Sequence, residues 1–452
     1  MASKDALSKI FKAYDIRGVY GDEIDESVVY SIGKSIVSFL KCREIIVGYD
    51  MRISSPKLVK AFSKGIVEMG VDVIDIGKVC TDATYFASGF MKKPSVMFTA
   101  SHNPKQYNGL KITKESAMPI NQNTGLSKIK TIIEKNRYSK VVNKKGRLIK
   151  KNILENYVSH ARSFVDVKKL RGLKIAVDAG NGMAGKIAPL IYKNLGVRIV
   201  PLYFKLDGTF PNHPADPSKY ENLKDLQRTV ITEKCSFGMA FDGDADRIFF
   251  VDETGKIASS SMISSLIIKK ILQKNPGKKI IYNVVCSKIV EDTIKKFGGN
   301  PIVERVGHSF IKETMRKKNA FFACEHSAHY YYRDNYMADS GMITSLIVAE
   351  IVSMEKKPMS FLLKEFEKYH TIEETSLKVE DKEKKINKLK KIYSKQEPLK
   401  ILDIDGITFE FGDWRFNVRP SNTEPLLRLN LEANTEILMK EKKEEIIKQI
   451  NS

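Results

Sequence analysis

Hydrophobic positions fall into two periods that alternate along most of the chain. Short apolar runs rich in β-branched residues predict buried strands at Ile45-Ile46-Val47-Gly48, Val71-Asp72-Val73-Ile74-Asp75-Ile76 and Ser95-Val96-Met97-Phe98-Thr99. Between the first two, residues 56–69 place Leu58, Val59, Phe62, Ile66 and Val67 on one helical stripe, with Pro56 suited to a first turn. The rhythm returns at Lys174-Ile175-Ala176-Val177-Asp178, then a Gly-rich turn (Ala179-Gly180-Asn181-Gly182), a helical stretch and Arg198-Ile199-Val200-Pro201-Leu202. It returns again at Lys279-Ile280-Ile281-Tyr282-Asn283, a helix carrying Ile289, Val290, Ile294 and Phe297, and Pro301-Ile302-Val303. Strand–helix–strand repetition predicts an α/β chain of largely parallel sheets covered by helices. Three such units begin near residues 40, 173 and 278 and share a rhythm without close sequence identity.

The pattern changes near residue 371. A strand from Glu374 to Val379 leads into a charged helix over 380–395, where Ile386, Leu389, Ile392 and Tyr393 recur at helical spacing. Clear alternation follows at Gly406-Ile407-Thr408-Phe409-Glu410-Phe411, then a strand pair and a closing helix. This reads as an α+β unit with an antiparallel sheet. Polar stretches near 155, 257 and 370 divide the chain into 1–155, 156–256, 257–370 and 371–452.

Composition narrows the function classes. The 452 residues are 42% hydrophobic and 29% charged, with 15 Pro and 27 Gly, which excludes a disordered or collagen-like chain. No apolar run approaches the roughly 18 residues of a membrane span, and Met1-Ala2-Ser3-Lys4-Asp5-Ala6-Leu7 lacks the apolar core of a secretory signal. Cys42, Cys80, Cys235, Cys286 and Cys324 form no CxxC pair, which argues against a disulfide framework or zinc site and for a cytoplasmic location. The net charge of +22 raises the question of nucleic acid. The basic residues interleave with acids, as in Glu380-Asp381-Lys382-Glu383-Lys384-Lys385, so solvated faces are the better reading. Part of the excess can serve an anionic substrate. Neither a nucleic-acid nor a membrane partner is expected, and the chain is read as a monomer or small homo-oligomer.

Four stretches carry chemistry. Thr99-Ala100-Ser101-His102-Asn103-Pro104 follows a strand directly, where ligands of α/β sheets sit, and a Pro-fixed turn there can present Ser101 as a nucleophile or simply cap a helix. Asn108-Gly109 then reads as a turn, followed by Lys111 on a strand, close enough in sequence to assist a serine. Asp242-Gly243-Asp244-Ala245-Asp246-Arg247 alternates by two, which predicts three carboxylates on one side of an extended loop, a donor set suited to Mg²⁺. Arg247 where an EF-hand needs Gly, and the strand-like Ile248-Phe249-Phe250-Val251, argue against calcium. In Cys324-Glu325-His326-Ser327-Ala328-His329 the alternation of Glu325 and Ser327 suits vicinal sugar hydroxyls or an ordinary strand end, and Gly307-His308 adds an imidazole at a strand-to-helix turn. Arg419-Pro420-Ser421-Asn422-Thr423-Glu424-Pro425, with Arg428 beyond, reads as an anion cradle or a capped loop, phosphate being favoured.

Together and in this order, from Phe11-Lys12-Ala13-Tyr14-Asp15-Ile16-Arg17-Gly18 to Arg419–Pro425, the stretches resemble the α-D-phosphohexomutase superfamily over essentially the whole chain. Tyr107-Asn108-Gly109-Leu110-Lys111 and His329-Tyr330-Tyr331-Tyr332-Arg333-Asp334-Asn335 are similar to its phosphomannomutase/phosphoglucomutase branch. The resemblance implies four domains in a heart shape, three of mixed α/β sheet and a C-terminal α+β domain, each lending a loop to one central cleft. It implies interconversion of hexose 1-phosphate and hexose 6-phosphate, of mannose or glucose, through a phosphoserine and a hexose 1,6-bisphosphate that also acts as activator. Ser101, Asp242, Asp244 and Asp246 would hold one Mg²⁺. Arg17, His102, Lys111, Arg247, His308 and His329 would serve catalysis. Tyr14, Glu325, Ser327, Arg419, Ser421, Asn422, Thr423 and Arg428 would bind a phosphosugar. The alternatives are a phosphoglucosamine mutase and a catalytically silent sugar-phosphate binder.

Three positions depart from the family pattern. Cys324 and Ala328 stand where Gly is usual, and Ala328 is costly if its φ is positive. Val285 stands where a basic residue is common, with Lys288 a partial substitute.

Overall fold

The computed structural model describes residues 4–139, 144–372, 374–421 and 425–451. Four sheets follow one another along the chain, and the first three share one plan. In the first, strands run in the order Ile16–Val19, Tyr107–Thr113, Ser95–Phe98, Glu44–Tyr49, Asp72–Lys78, Leu148–Lys150. The last four are parallel; Tyr107–Thr113 is antiparallel to both its neighbours. In the second, Arg198–Leu202, Lys174–Asp178 and Phe237–Phe241 are parallel, and Ile248–Asp252 and Ile257–Ala258 continue antiparallel. In the third, Asn300–Glu304, Lys279–Asn283 and Phe322–Cys324 are parallel, and Tyr330–Tyr332 and Ala338–Asp339 continue antiparallel.

The sheets are thus mixed rather than parallel throughout. In each, the chain turns back on itself at the carboxyl end of a parallel strand, and that reversal carries a motif: Thr99–Gln106, Asp242–Arg247 and Glu325–His329. A reversal at that edge needs only a short loop, whereas a parallel crossover needs a helix. The repeated plan therefore delivers three short loops to equivalent places.

The first unit starts earlier than its apolar rhythm indicates. The strand Ile16–Val19 and helix Glu26–Leu40 precede residue 40. Ile16–Val19 is a four-residue edge strand, too short for a periodic signal, and it pairs Arg17 with Gly109. Asn108-Gly109 is therefore not a turn but lies inside Tyr107–Thr113. A Cβ on Gly109 would overlap the carbonyl oxygen of Ile16, so this glycine permits close strand approach.

The fourth sheet is antiparallel: His370–Thr371, Leu426–Ala433, Trp414–Pro420, Ile407–Glu410, Lys400–Leu402, with Thr375–Lys378 also on Leu426–Ala433. The helices Lys382–Tyr393 and Glu436–Asn451 cover it through Leu389, Tyr393, Ile446 and Ile450. One continuous core joins Ile46 and Met97 of the first unit to Val177 and Met239 of the second and Ile280 and Tyr330 of the third. The core of the fourth, built on Phe409, Trp414, Phe416 and Leu429, is separate. Among the described residues no helix is long and apolar enough to cross a membrane.

Candidate active site

The loop after Ser95–Phe98 holds Ser101 at φ 51°, in the left-handed region that costs a non-glycine residue roughly 1–2 kcal/mol. The strain is held by specific bonds. The Ser101 N–H donates to Thr99 Oγ1 at 2.9 Å. Arg52, 1% exposed, donates to the carbonyls of Pro104 (2.8 Å), Tyr107 (2.9 Å), Ser101 (2.9 Å) and Asn103 (2.6 Å). Its Nε lies 3.3 Å from Asp50 Oδ2. Asp50 follows the strand Glu44–Tyr49, and its N–H donates to Phe98 O at 3.0 Å. The conformation of the serine loop is therefore fixed from the adjacent parallel strand. Sequence reasoning passed over Arg52. The available signal was Asp50-Met51-Arg52, also just beyond the carboxyl end of a strand.

Asp242, Asp244 and Asp246 each offer an oxygen within 4.8 Å of the others. They converge because the chain is a tight turn here, with Ala245 at φ 63°, and not the extended loop that alternation suggested. Ser101 Oγ donates to Asp242 Oδ2 at 2.6 Å. A Cβ on Gly243 would lie 2.6 Å from the Ser101 carbonyl oxygen, so only glycine lets the two loops meet this closely. Lys111 Nζ donates to Asp244 Oδ2 at 2.8 Å and Asp246 Oδ2 at 2.5 Å, and Thr81 Oγ1 donates to Asp244 Oδ2 at 2.5 Å. Burial raises all three carboxyls. For Asp244, Lys111 and the hydrogen bonds from it and Thr81 outweigh burial and the Asp246 charge, and the pKa is lowered. For Asp246, Lys111 and Arg247 do the same. Asp242, facing both neighbouring carboxylates, is pushed well up.

Asp244 Oδ1 and Asp246 Oδ1 are buried without a hydrogen-bond partner among the described residues. Two orphaned hard oxygens beside a third carboxylate and a serine hydroxyl fit a Mg²⁺-like cation. A second cluster, Asp246, His329 and Asp339, shares a member with the first. There Lys312 Nζ stands 2.6 Å from Asp339 Oδ1.

Cations and imidazoles surround this centre. Arg247 Nε donates to Asp242 Oδ2 at 3.0 Å, while its buried Nη2 lies 3.9 Å from Asp216 Oδ1 and has no hydrogen-bond partner among the described residues. Arg17 donates to Asn103 Oδ1 at 2.6 Å and Asp15 Oδ2 at 2.5 Å, tying the edge strand to the serine loop. His102 Nδ1 is 3.4 Å from Ser101 Oγ. His329 Nδ1 is 2.9 Å from Ser327 Oγ, and its Nε2 is 3.6 Å from Asp246 Oδ1. The His308 ring stacks at 6.4 Å on His329 and meets Tyr14 edge-on at 5.0 Å; both its nitrogens are buried without a partner among the described residues. Burial, then nearby cations, holds His102, His308 and His329 well below the usual imidazole range, so all three are neutral.

Glu325 and Ser327 lie on a turn. Glu325 accepts from the Tyr331 hydroxyl, from Gly307 N–H at 3.0 Å and from Asn283 Nδ2 at 3.2 Å, so it also braces the start of the His308 helix. Ala328 has φ 64°, the conformation that favours glycine, and Cys324 is the buried last residue of its strand. One strand, one reversed edge and three sheet ends have thus brought Arg17, Ser101, Lys111, the three aspartates, Arg247, His308 and His329 into one polar centre.

The sequence matches the phosphoglucomutase/phosphomannomutase profiles in order: α/β/α domain I over residues 8–140, domain II over 155–255, domain III over 259–369 and the C-terminal domain over 374–449. The chain belongs to the phosphoglucomutase/phosphomannomutase family. It is 39% identical over 439 residues to a phosphomannomutase of Escherichia coli K12, covering 95% of this chain and 96% of that one. It is 38% identical over 455 residues to a phosphomannomutase of Vibrio cholerae serotype O1, covering 97% and 98%. A phosphoglucomutase/phosphomannomutase family protein of Burkholderia thailandensis superposes with a TM-score of 0.91 at 32% identity, over 100% of this chain and 98% of that one.

The C-terminal unit of this family member supplies the last motif. Arg419 and Arg428 are cross-strand partners. Arg419 Nη2 donates to Glu374 Oε2 at 2.7 Å and Arg428 Nη1 to Glu374 Oε1 at 2.9 Å. Ser421, 4% exposed, follows, and Lys382 Nζ donates to its carbonyl at 2.9 Å. Asn422 and Thr423 lie outside the described residues. Lys288 is not a replacement for a base at Val285: its ammonium pairs with Glu410 of the C-terminal unit, and its N–H donates to Glu432 Oε1 at 2.6 Å.

Proposed function

We infer that this chain is a phosphohexomutase that interconverts hexose 1-phosphates and hexose 6-phosphates of mannose or glucose, with Ser101 as the phosphoryl carrier. The observation that carries the reading is the Ser101 hydroxyl at 2.6 Å from Asp242, inside a cluster of three buried carboxylates. Ser101, Asp242, Asp244 and Asp246 would hold Mg²⁺, which when bound supplies charge neutralisation at the phosphoryl oxygens.

The rest follows from this chain's side chains. In the forward half, the bond from phosphorus to Ser101 Oγ breaks as a bond forms to the free hydroxyl of the bound sugar phosphate, giving a 1,6-bisphosphate. Arg247, whose Nη2 makes no hydrogen bond among the described residues, would donate to the moving phosphoryl group, and Lys111 holds the carboxylates beside it. The proton leaving the sugar hydroxyl needs a neutral acceptor, which the unprotonated ring nitrogen of His308 would supply, neither ring nitrogen having a partner among the described residues, and Ser101 Oγ takes up a proton from solvent as its bond to phosphorus breaks. A bound phosphate raises the basicity of that imidazole as the proton arrives. Arg419, Ser421 and Arg428 would grip the phosphate that stays attached. After the bisphosphate turns over, the other phosphoryl group returns to Ser101. A hexose 1,6-bisphosphate would charge an unphosphorylated chain, which makes it the activator.

Two measurements test this together. Mass spectrometry of the protein should show a phosphate adduct on Ser101 whose phosphoryl group exchanges with isotopically labelled phosphate of added hexose monophosphate, the phosphoryl acceptor. Assays with mannose, glucose and glucosamine 1-phosphates, Mg²⁺ and a trace of bisphosphate should show turnover of the first two, with Ser101→Ala folded but inactive. Undiminished turnover by Ser101→Ala would refute the assignment.

A further inference from the structure

Outside the centre around Ser101, the most constrained unexplained carboxylate is Glu374. Arg419 and Arg428 sit directly opposite one another on adjacent strands, Trp414–Pro420 and Leu426–Ala433. Like charges opposed in this way repel. Glu374 lies at the start of the C-terminal unit and places one carboxylate oxygen on each guanidinium, at 2.7 and 2.9 Å. Burial would raise its pKa, but the two arginines outweigh that and hold it below the usual range, so it is an anion. Arg419 Nε and Arg428 Nε remain buried without a hydrogen-bond partner among the described residues, so the pair has donors to spare. The other basic groups facing this place are Lys382, whose Nζ holds the Ser421 carbonyl at 2.9 Å, and His326 of the third unit's loop.

We propose that Glu374 is an internal stand-in for the substrate phosphate: it offsets one of the two positive charges of Arg419 and Arg428 before a phosphate arrives, and it weakens the grip of this pair on any phosphate that enters. The inference rests on the reading of Arg419 and Arg428 as the distal phosphate clamp. Its physical content is a competition. A dianion entering the clamp meets a fixed carboxylate that either gives up its oxygens or remains as a repelling neighbour. In both cases affinity falls relative to a bare arginine pair. A clamp of moderated strength suits a reaction in which the bisphosphate has to leave one orientation and return in another. A grip that is too tight would trap it. Glu374 would thus be a positioning residue, acting through the two arginines and setting how long either phosphate is held.

The substitution Glu374→Gln keeps the shape and removes the charge. Inorganic phosphate, tested as an inhibitor and by calorimetric titration of the full-length protein, should bind about tenfold more tightly to E374Q, the order expected for removing one adjacent unit charge. KM for hexose 1-phosphate should fall, and kcat should fall with it. A carboxylate that merely orients the arginines gives the reverse: weaker phosphate binding, a raised KM and rescue by Glu374→Asp. That outcome, or unchanged phosphate affinity, overturns the proposal. Arg419→Ala separates this from failure of the clamp reading. It should weaken phosphate binding and, in the double variant with E374Q, remove the tightening. If Arg419→Ala leaves phosphate binding intact, the clamp is elsewhere and both readings fall. If it weakens binding while E374Q does not tighten it, only the role of Glu374 falls.

Discussion

Arg52 shows how a single residue can control a loop it does not belong to. Its guanidinium satisfies four carbonyls that would otherwise be stranded around a strained Ser101, and Asp50 balances its charge at no solvent exposure. Removing one partner of a buried pair leaves the other charge uncompensated, at a cost of about 3–5 kcal/mol. Arg52→Met should therefore lower the urea midpoint by the equivalent of that amount. Mutase turnover should fall further than the folded fraction does, because Ser101 loses its geometry. Arg52→Lys should recover only part of the loss, since one ammonium cannot span four carbonyls. A stability change below about 1 kcal/mol for Arg52→Met would mean that the loop holds itself.

The residue scale is also where sequence reading was most informative about chemistry. Residue type and spacing single out Ser101 and the three aspartates, whereas the expectations for Arg247 and the histidines come from the family resemblance. Neither gives their mutual distances. The argument for the aspartates assumed an extended loop, and the structure brings them together through a tight turn that depends on a left-handed Ala245 and on Gly243.

At the scale of elements, the amino ends of two helices are pinned through one carboxylate. Asp82 opens the helix Thr81–Met91, whose Thr81 touches Asp244. Its Oδ2 accepts from the Tyr157 hydroxyl at 2.6 Å and from Ser340 Oγ at 2.6 Å. Ser340 caps the helix Gly341–Glu355, and a Cβ on Gly341 would lie 2.7 Å from the Ala245 carbonyl. Burial pushes Asp82 up to about 6, against 3.8 for a free carboxyl. A raised folded-state pKa favours the protonated form, so its contribution is fully present below about pH 4 and is lost as pH rises through about 6. The gap amounts to about 3 kcal/mol at most. Asp82→Asn should remove that decline. Relative to the parent protein, the variant should gain stability between pH 4.5 and pH 7.5, by at most about 2 kcal/mol, since part of the decline has already occurred at pH 4.5. Urea titrations at the two pH values measure it; parallel curves would show that Asp82 titrates normally. Nothing in the local sequence Cys80-Thr81-Asp82 announces this, because its partners lie 75 and 258 residues away.

Strand and helix positions were more legible. Lys174–Asp178, Arg198–Leu202 and Lys279–Asn283 appear where the apolar runs placed them. In Lys174–Asp178 and Lys279–Asn283 the apolar run reflects burial on both faces, and in the half-exposed Arg198–Leu202 it reflects β-branched content. The edge strand Ile16–Val19 escaped because four residues with one exposed side carry little period.

The whole molecule is unevenly coupled. The first three units share a continuous apolar core, whereas the fourth has its own. Contacts between the third and fourth are polar and specific. Arg415 Nη2 donates to Val284 O at 2.9 Å and Cys286 O at 2.7 Å, Lys288 N–H donates to Glu432 Oε1 at 2.6 Å, and Val306 N–H donates to Asp405 Oδ2 at 3.1 Å. Apolar burial makes unfolding cooperative, and a polar seam transmits it weakly. Calorimetry should therefore resolve two transitions, one for residues from about 370 onward and one for the rest. Arg415→Ala should move the smaller transition down and leave the larger in place. A single transition shifted as a whole would show the units to be one cooperative body.

The sequence by itself determined the alternation of elements, the switch from α/β units to an antiparallel unit, and a serine and three aspartates of matching chemistry. Those properties follow from local periodicity and from side-chain chemistry, which neighbours along the chain are enough to reveal. Only the tertiary structure decided that three sheets reverse direction at the same edge, that Arg52 and Asp82 hold distant loops, and that Glu374 bridges two arginines. Each of these depends on strand pairing and on charges buried together, and folding, not chain order, sets such distances.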